Sequence, residues 1–206
     1  MAYPTSPAET VADGTVHVLG LCVGIPASIF LLTHAGGPDA PPMAVIVYAC
    51  CFVLSLVASA LYHLTPFDRG RATLGRIDHA AIYFKIAGTY TPFVMVIGSG
   101  FAYGILGIVW ALAVVGAVGK LWFWRLDARG SLPLYLGMGW LSVLLVWPMW
   151  DRLPGQALAL IAVGGLTYSL GTIVYAHPGM RFQNAIWHVF VMSASACFFS
   201  AVAISL

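Results

Sequence analysis

Along this chain the charged residues fall into a few narrow gaps, with long apolar runs between them. Uncharged windows cover 14–38, 40–67, 86–119, 130–150, 153–180 and 182–206. A membrane-crossing helix needs about 20 apolar residues, so each window is long enough to span. The third would form a helix of roughly 50 Å at 1.5 Å per residue, well beyond a hydrocarbon thickness of about 30 Å, and must double back. Gly98-Ser99-Gly100 supplies the turn. The pattern predicts seven helices, at approximately 14–34, 44–64, 78–97, 101–119, 132–150, 156–176 and 184–205. Short loops join them into a single all-α transmembrane domain over 1–206.

Composition sharpens this picture. The 206 residues are 61% hydrophobic and only 8% charged, with a mean hydropathy of +0.92, against about 25% charged in soluble domains. Nine basic and seven acidic residues are too few to cover a globule in water, so a soluble fold is excluded and membrane lipids become the surroundings. A net charge of +2 is too small and dispersed for a phosphate-binding footprint, which argues against nucleic acid as a partner. Residues 1–13 contain no Lys or Arg but include Glu9 and Asp13, unlike a cleavable signal peptide. Cys22, Cys50, Cys51 and Cys197 have neither zinc-ribbon nor redox-pair spacing, and are expected to be small buried apolar side chains.

With seven passes, Arg69, Arg71, Arg76, Lys120, Arg125, Arg129 and Arg181 lie on the N-terminal side and Arg152 lies opposite. The positive-inside rule therefore predicts a cytoplasmic N-terminus and an outer C-terminus in the cell inner (plasma) membrane. Trp122, Trp124, Trp147 and Trp150 fall at helix ends, where amphipathic rings suit the headgroup level.

The topology brings polar side chains to one depth. Helix 2 carries Ser59 and His63 in its last turns, helix 3 begins with Asp78, and helix 7 begins with Asn184 and His188. Residues four apart share a helical face, so both i,i+4 pairs can point inward. Ionisable groups in a membrane cost about 2.5–3.5 kcal/mol at the helix centre and usually face a bundle interior. Two imidazoles and a carboxylate suit zinc with an open position. Solvated interfacial histidines, and Asp78 capping a helix N-terminus, are the plainer alternatives. His17 lies in the same leaflet and could join this network or serve as a structural histidine. His34, His79 and His177 point elsewhere or sit alone at helix ends.

Ser59-Ala-Leu-Tyr-His63, Asp78-His-Ala-Ala-Ile-Tyr, Ile86-Ala-Gly-Thr-Tyr-Thr-Pro-Phe93 and Ala185-Ile-Trp-His188 resemble the bacterial hemolysin III proteins. These are the prokaryotic branch of the progestin and adipoQ receptor family. The resemblance implies seven helices, a cytoplasmic N-terminus and an intramembrane zinc site. It also implies one histidine from an S-x-x-x-H motif, here His63, and two from an H-x-x-x-H motif, here Asn184 and His188. One expected ligand is thus an asparagine. Phe198 replaces a further histidine common in the family, and Lys85 stands where an apolar residue is more usual.

Two readings follow. In the first, zinc is retained by His63, His188 and Asp78, with Asn184 binding a zinc-bound water or making a weak carbonyl contact. In the second, the metal is lost and Lys85 substitutes for its charge. Zinc would support hydrolysis of a lipid amide or ester. The resemblance implies the same chemistry through alkaline ceramidases, with Asp78 orienting or deprotonating water and Ser59 stabilising an oxyanion. A role in membrane lipid homeostasis would follow. The competing class is a receptor, fluidity sensor or cytolytic protein. A pore is the least physical of these, because too few polar residues exist to line one. Pro92 frees the carbonyl of Gly88 and permits a kink in helix 3. Gly116, Gly119, Gly164 and Gly165 permit close helix contacts within or between chains.

Overall fold

The computed structural model describes residues 6–34, 42–66, 69–123, 129–177 and 179–206, and Trp124 and Arg125 lie outside this set. The described residues form helices without strands: α1 Pro7–His34, α2 Pro42–Leu64, α3 Arg71–Ile97, α4 Gly100–Val118, α5 Leu132–Trp150, α6 Gly155–Ala176 and α7 Gln183–Ser205. All seven are long and apolar enough to cross a membrane. Consecutive helices pack on one another, α7 returns against α1, and α3 is the most enclosed span.

Two helix starts differ from the sequence reading. α1 begins at Pro7 rather than near Gly14, because Ser6 and Glu9 form a reciprocal cap. Ser6 Oγ accepts from the Glu9 amide at 3.3 Å, and Glu9 Oε2 accepts from the Ser6 amide at 3.1 Å. Asp13 is therefore inside the first span and buried, not part of a polar leader. α3 begins at Arg71 after Gly70, which holds φ 88° in the left-handed region. Asp78 consequently sits two turns inside the helix, which removes the N-terminal capping role.

The turn between α3 and α4 forms where the glycines place it. Gly98 takes φ 65° and donates its amide to the Val94 carbonyl, while Ser99 caps α4 by accepting from the Ala102 amide at 3.2 Å. α4 runs on through a π-turn at Gly119–Phe123. α5 is not one regular helix, since Leu141–Leu145 tightens to a 3₁₀ segment. Pro148 explains this: it has no N–H for the Leu144 carbonyl, and its ring excludes that carbonyl from the α position. Pro92 by contrast leaves α3 continuous.

Small residues set the helix spacing. A Cβ on Gly88 would stand 2.6 Å from Cys51 Cβ, so α2 and α3 meet backbone to backbone. Gly116 receives the ring of fully buried Tyr83, and Gly164 lies against Ala194, Cys197 and Phe198 of α7. These are contacts within the chain. The outer surface carries Val23, Phe30, Val115 and Leu170 in the open, as expected where the solvent is lipid. The same inversion corrects the cysteine expectation: Cys22 and Cys50 face outward, and Cys51 and Cys197 are half-buried. Trp122, Trp147 and Trp150 are exposed at span ends.

Candidate metal centre

Three helices each contribute an i,i+4 pair at one level: Asp13 and His17 from α1, Ser59 and His63 from α2, Asn184 and His188 from α7. The four-residue spacing turns both members of each pair to one face. The bundle closes α1 onto α2 and α7, so these faces converge. The rings of His63 and His188 are 4.5 Å apart, and the His17 ring lies 4.8 and 4.3 Å from them.

Asp13 organises the group. Its Oδ2 accepts from His63 Nδ1 at 2.8 Å and its Oδ1 from His188 Nδ1 at 2.7 Å. A carboxylate only accepts, so the proton of each ring is on Nδ1 and the lone pair on Nε2. That is the carboxylate–histidine arrangement by which proteins fix a metal-binding imidazole. His17 donates from Nδ1 to the Asp13 carbonyl at 2.8 Å, and its Nε2 meets Ser59 Oγ at 3.1 Å. Asp78 and Ser59 line the same cavity.

One ligand-capable atom from each of Asp13, His17, His63 and His188 lies within 4.8 Å of the other three, and all four residues are buried. Imidazole nitrogens and a carboxylate are donor types that zinc takes. A tetrahedral ion with bonds of about 2.1 Å needs its donors about 3.4 Å apart. The four buried residues together could hold a metal ion.

Two of the sequence-predicted ligands, His63 and His188, therefore come together, and His17 joins them. Asp78 is outside the four-donor cluster. Asn184 is buried one turn before His188 but makes no described hydrogen bond to the cluster. Asp13 is not among the sequence-predicted ligands, because the uncharged window begins only after it. The Ser6-x-x-Glu9 capping box was the available signal, since it carries the helix back far enough to pair Asp13 with His17.

Lys85 makes no described contact with the histidine cluster. It is buried near the middle of α3, and its Nζ donates to Tyr168 Oη at 2.8 Å and Ser195 Oγ at 2.7 Å. A cavity of about 560 Å³ runs past these groups, from His17, Asp78 and His188 to Leu145, Met149 and Trp150 at the far end of α5.

This arrangement of motifs over seven spans agrees with comparison to known proteins. A model of haemolysin-III-related proteins matches residues 7–199. The chain belongs to the haemolysin-III-related family. It is 35% identical to Hemolysin-3 of Bacillus cereus over 94% of this chain and 90% of that protein. It is 36% identical to the Hemolysin-3 homolog of Bacillus subtilis (strain 168), covering 94% and 92% of the two chains. The human Monocyte to macrophage differentiation factor is more distant, 27% identical over 76% of this chain and 67% of that protein. The haemolysin-III-related chain is thus a multi-pass membrane protein and a distant homologue of the mammalian progestin and adipoQ receptors.

Proposed function

We propose that this haemolysin-III-related protein is a zinc-dependent hydrolase of lipid amides or esters, acting in membrane lipid homeostasis from the cytoplasmic side of the inner membrane. The single observation that supports this best is the shared hold of Asp13 on His63 and His188, which fixes two buried imidazoles with ring centroids 4.5 Å apart beside an apolar cavity.

His63, His188 and His17 would hold the metal and leave a position open to water, with Asp13 orienting the first two rings through their Nδ1–H groups. His17, not Asn184, thereby takes the place of the histidine that the family pattern leads one to expect. Bound zinc would supply Lewis acidity, polarising a carbonyl oxygen and making water more acidic. Asp78 stands ready to take the proton of an attacking water and return it to the departing amine or alcohol. Ser59 would hold the His17 ring in register through its Nε2. The mostly apolar cavity accepts an acyl chain and keeps bulk water from the reacting carbonyl.

Elemental analysis of detergent-purified protein, with release of fatty acid from short-chain ceramide and phospholipid mixtures, tests the proposal. The expected result is one zinc per chain and release abolished by His188→Ala. Absence of zinc at pH 7.5, both in the native chain and in Asn184→His, would refute the metal. Zinc without turnover would refute the hydrolase and leave a receptor or fluidity sensor.

A further inference from the structure

The ammonium of Lys85 lies about 20 Å along α3 from Arg71 at 1.5 Å per residue, midway through the span and too deep to reach either interface. No described carboxylate lies within 4 Å of it. Asp78 lies two helical turns earlier on α3 and forms no ion pair with it among the described residues. Near Nζ are two hydroxyl oxygens and the rings of Phe52 and Tyr168, with centroids at 5.9 and 5.4 Å. A cation surrounded by dipoles and π faces is partly stabilised, yet a buried charge without a counter-ion remains costly.

The donors around it are arranged to receive something. An ammonium has three N–H groups, of which two point to Tyr168 and Ser195. The Ser195 hydroxyl is committed to the Val191 carbonyl at 2.6 Å. The hydroxyl proton of Tyr168 has no described acceptor. One N–H from Lys85 and one O–H from Tyr168 are therefore available side by side, and both residues line the cavity. Two adjacent donors match the two oxygens of a carboxylate. A doubly charged phosphate would need more donors than these to offset its desolvation. Beyond Lys85 the cavity continues between Phe93, Leu145, Met149, Leu158 and Ile161, a lining suited to an alkyl chain. Its volume of about 560 Å³ falls within the range of about 300–1,000 Å³ typical of small-molecule sites.

We infer that Lys85 and Tyr168 form an anion subsite that seats the carboxylate of a long-chain fatty acid, with its tail toward the far end of α5. None of the side chains involved belongs to the histidine cluster, so the subsite stands whether or not that cluster carries metal.

Binding of dodecanoate, dodecanol and acetate to the purified full-length protein, measured by tryptophan fluorescence and by thermal shift, tests this. The native chain should bind dodecanoate at least about tenfold more tightly than dodecanol, and acetate only weakly. Lys85→Met should weaken dodecanoate by about 10- to 100-fold, the size expected for a lost charge-assisted hydrogen bond, and leave dodecanol unchanged. Retained dodecanol binding also reports that the variant cavity is folded. Lys85→Arg should keep most of the preference, and Tyr168→Phe should lose part of it. Equal affinity of the native chain for acid and alcohol would overturn the inference without any variant. So would dodecanoate binding in Lys85→Met within twofold of native.

Discussion

Asp13 Oδ1 receives the Nδ1–H of His188 at 2.7 Å, joining the first membrane span to the last across 175 residues of sequence. Because the other carboxylate oxygen is held by His63, one side chain ties α1, α2 and α7 together at the level where the cavity begins. The link serves packing and chemistry at once, closing the ring of helices and setting the tautomer of two imidazoles.

Asp13→Ala should therefore have two separable effects. Two buried imidazole N–H groups lose their acceptor, at about 1–3 kcal/mol each. Chemical denaturation in detergent should show a loss of about 2–6 kcal/mol. Metal affinity should fall about 10- to 100-fold, as is common when an orienting carboxylate is removed. Asn184→Ala, by contrast, should retain zinc within about twofold of native. If Asn184→Ala lost the metal and Asp13→Ala kept it, the assignment would reverse.

Asp78 and Ser59 should behave as reaction groups rather than ligands, since Asp78 stands outside the four-donor cluster. Asp78→Asn is expected to lower kcat by about 10²–10⁴, the usual span for a general acid–base residue, while zinc content stays native. Ser59→Ala removes the hydroxyl that meets His17 at 3.1 Å. It should lower kcat by about tenfold with little change in KM. Loss of zinc from Asp78→Asn would place that carboxylate on the metal instead.

The architecture was largely legible because lipid makes hydropathy a direct readout of span number: charge gaps, the Gly98-Ser99-Gly100 turn and the helix order all follow from it. Within the site, His63 and His188 were legible because their i,i+4 partners and shared depth mark a common face. Asp13 was not, because hydropathy locates the apolar stretch rather than the helix, and the polar first turns of α1 are held by a cap instead of by lipid. Asp78 was misplaced for the same reason, as α3 extends two turns below its apolar part. The setting of Lys85 was beyond sequence: its partners Tyr168 and Ser195 lie 83 and 110 residues away and are chosen by helix rotation.

Orientation rests on charge alone. Seven basic residues on the N-terminal side against Arg152 opposite predict that a phosphatase fused after Leu206 is active in the periplasm or outside. A fusion at the N-terminus should be silent. The opposite pattern would move the histidine cluster to the outer leaflet, and with it the side from which a lipid headgroup must approach.

The packing of α3 against α4 gives a test independent of any chemistry. A methyl group on Gly116 would stand 2.5 Å from Cε1 of Tyr83, a ring fully buried between helices, whereas one on Gly165 would meet nothing within 4 Å. Tyr83 cannot retreat, because its other side packs on Tyr135 at a centroid distance of 4.6 Å. Gly116→Ala should therefore cost about 1–3 kcal/mol, the usual penalty for overpacking. Gly165→Ala should be neutral or stabilise slightly, since alanine is the better helix former by about 1 kcal/mol. Reversible unfolding of the two variants in the same detergent measures both. Equal stabilities would mean that α3 and α4 do not meet at Gly116, and the depth assigned to every polar group on α3 would have to be redrawn.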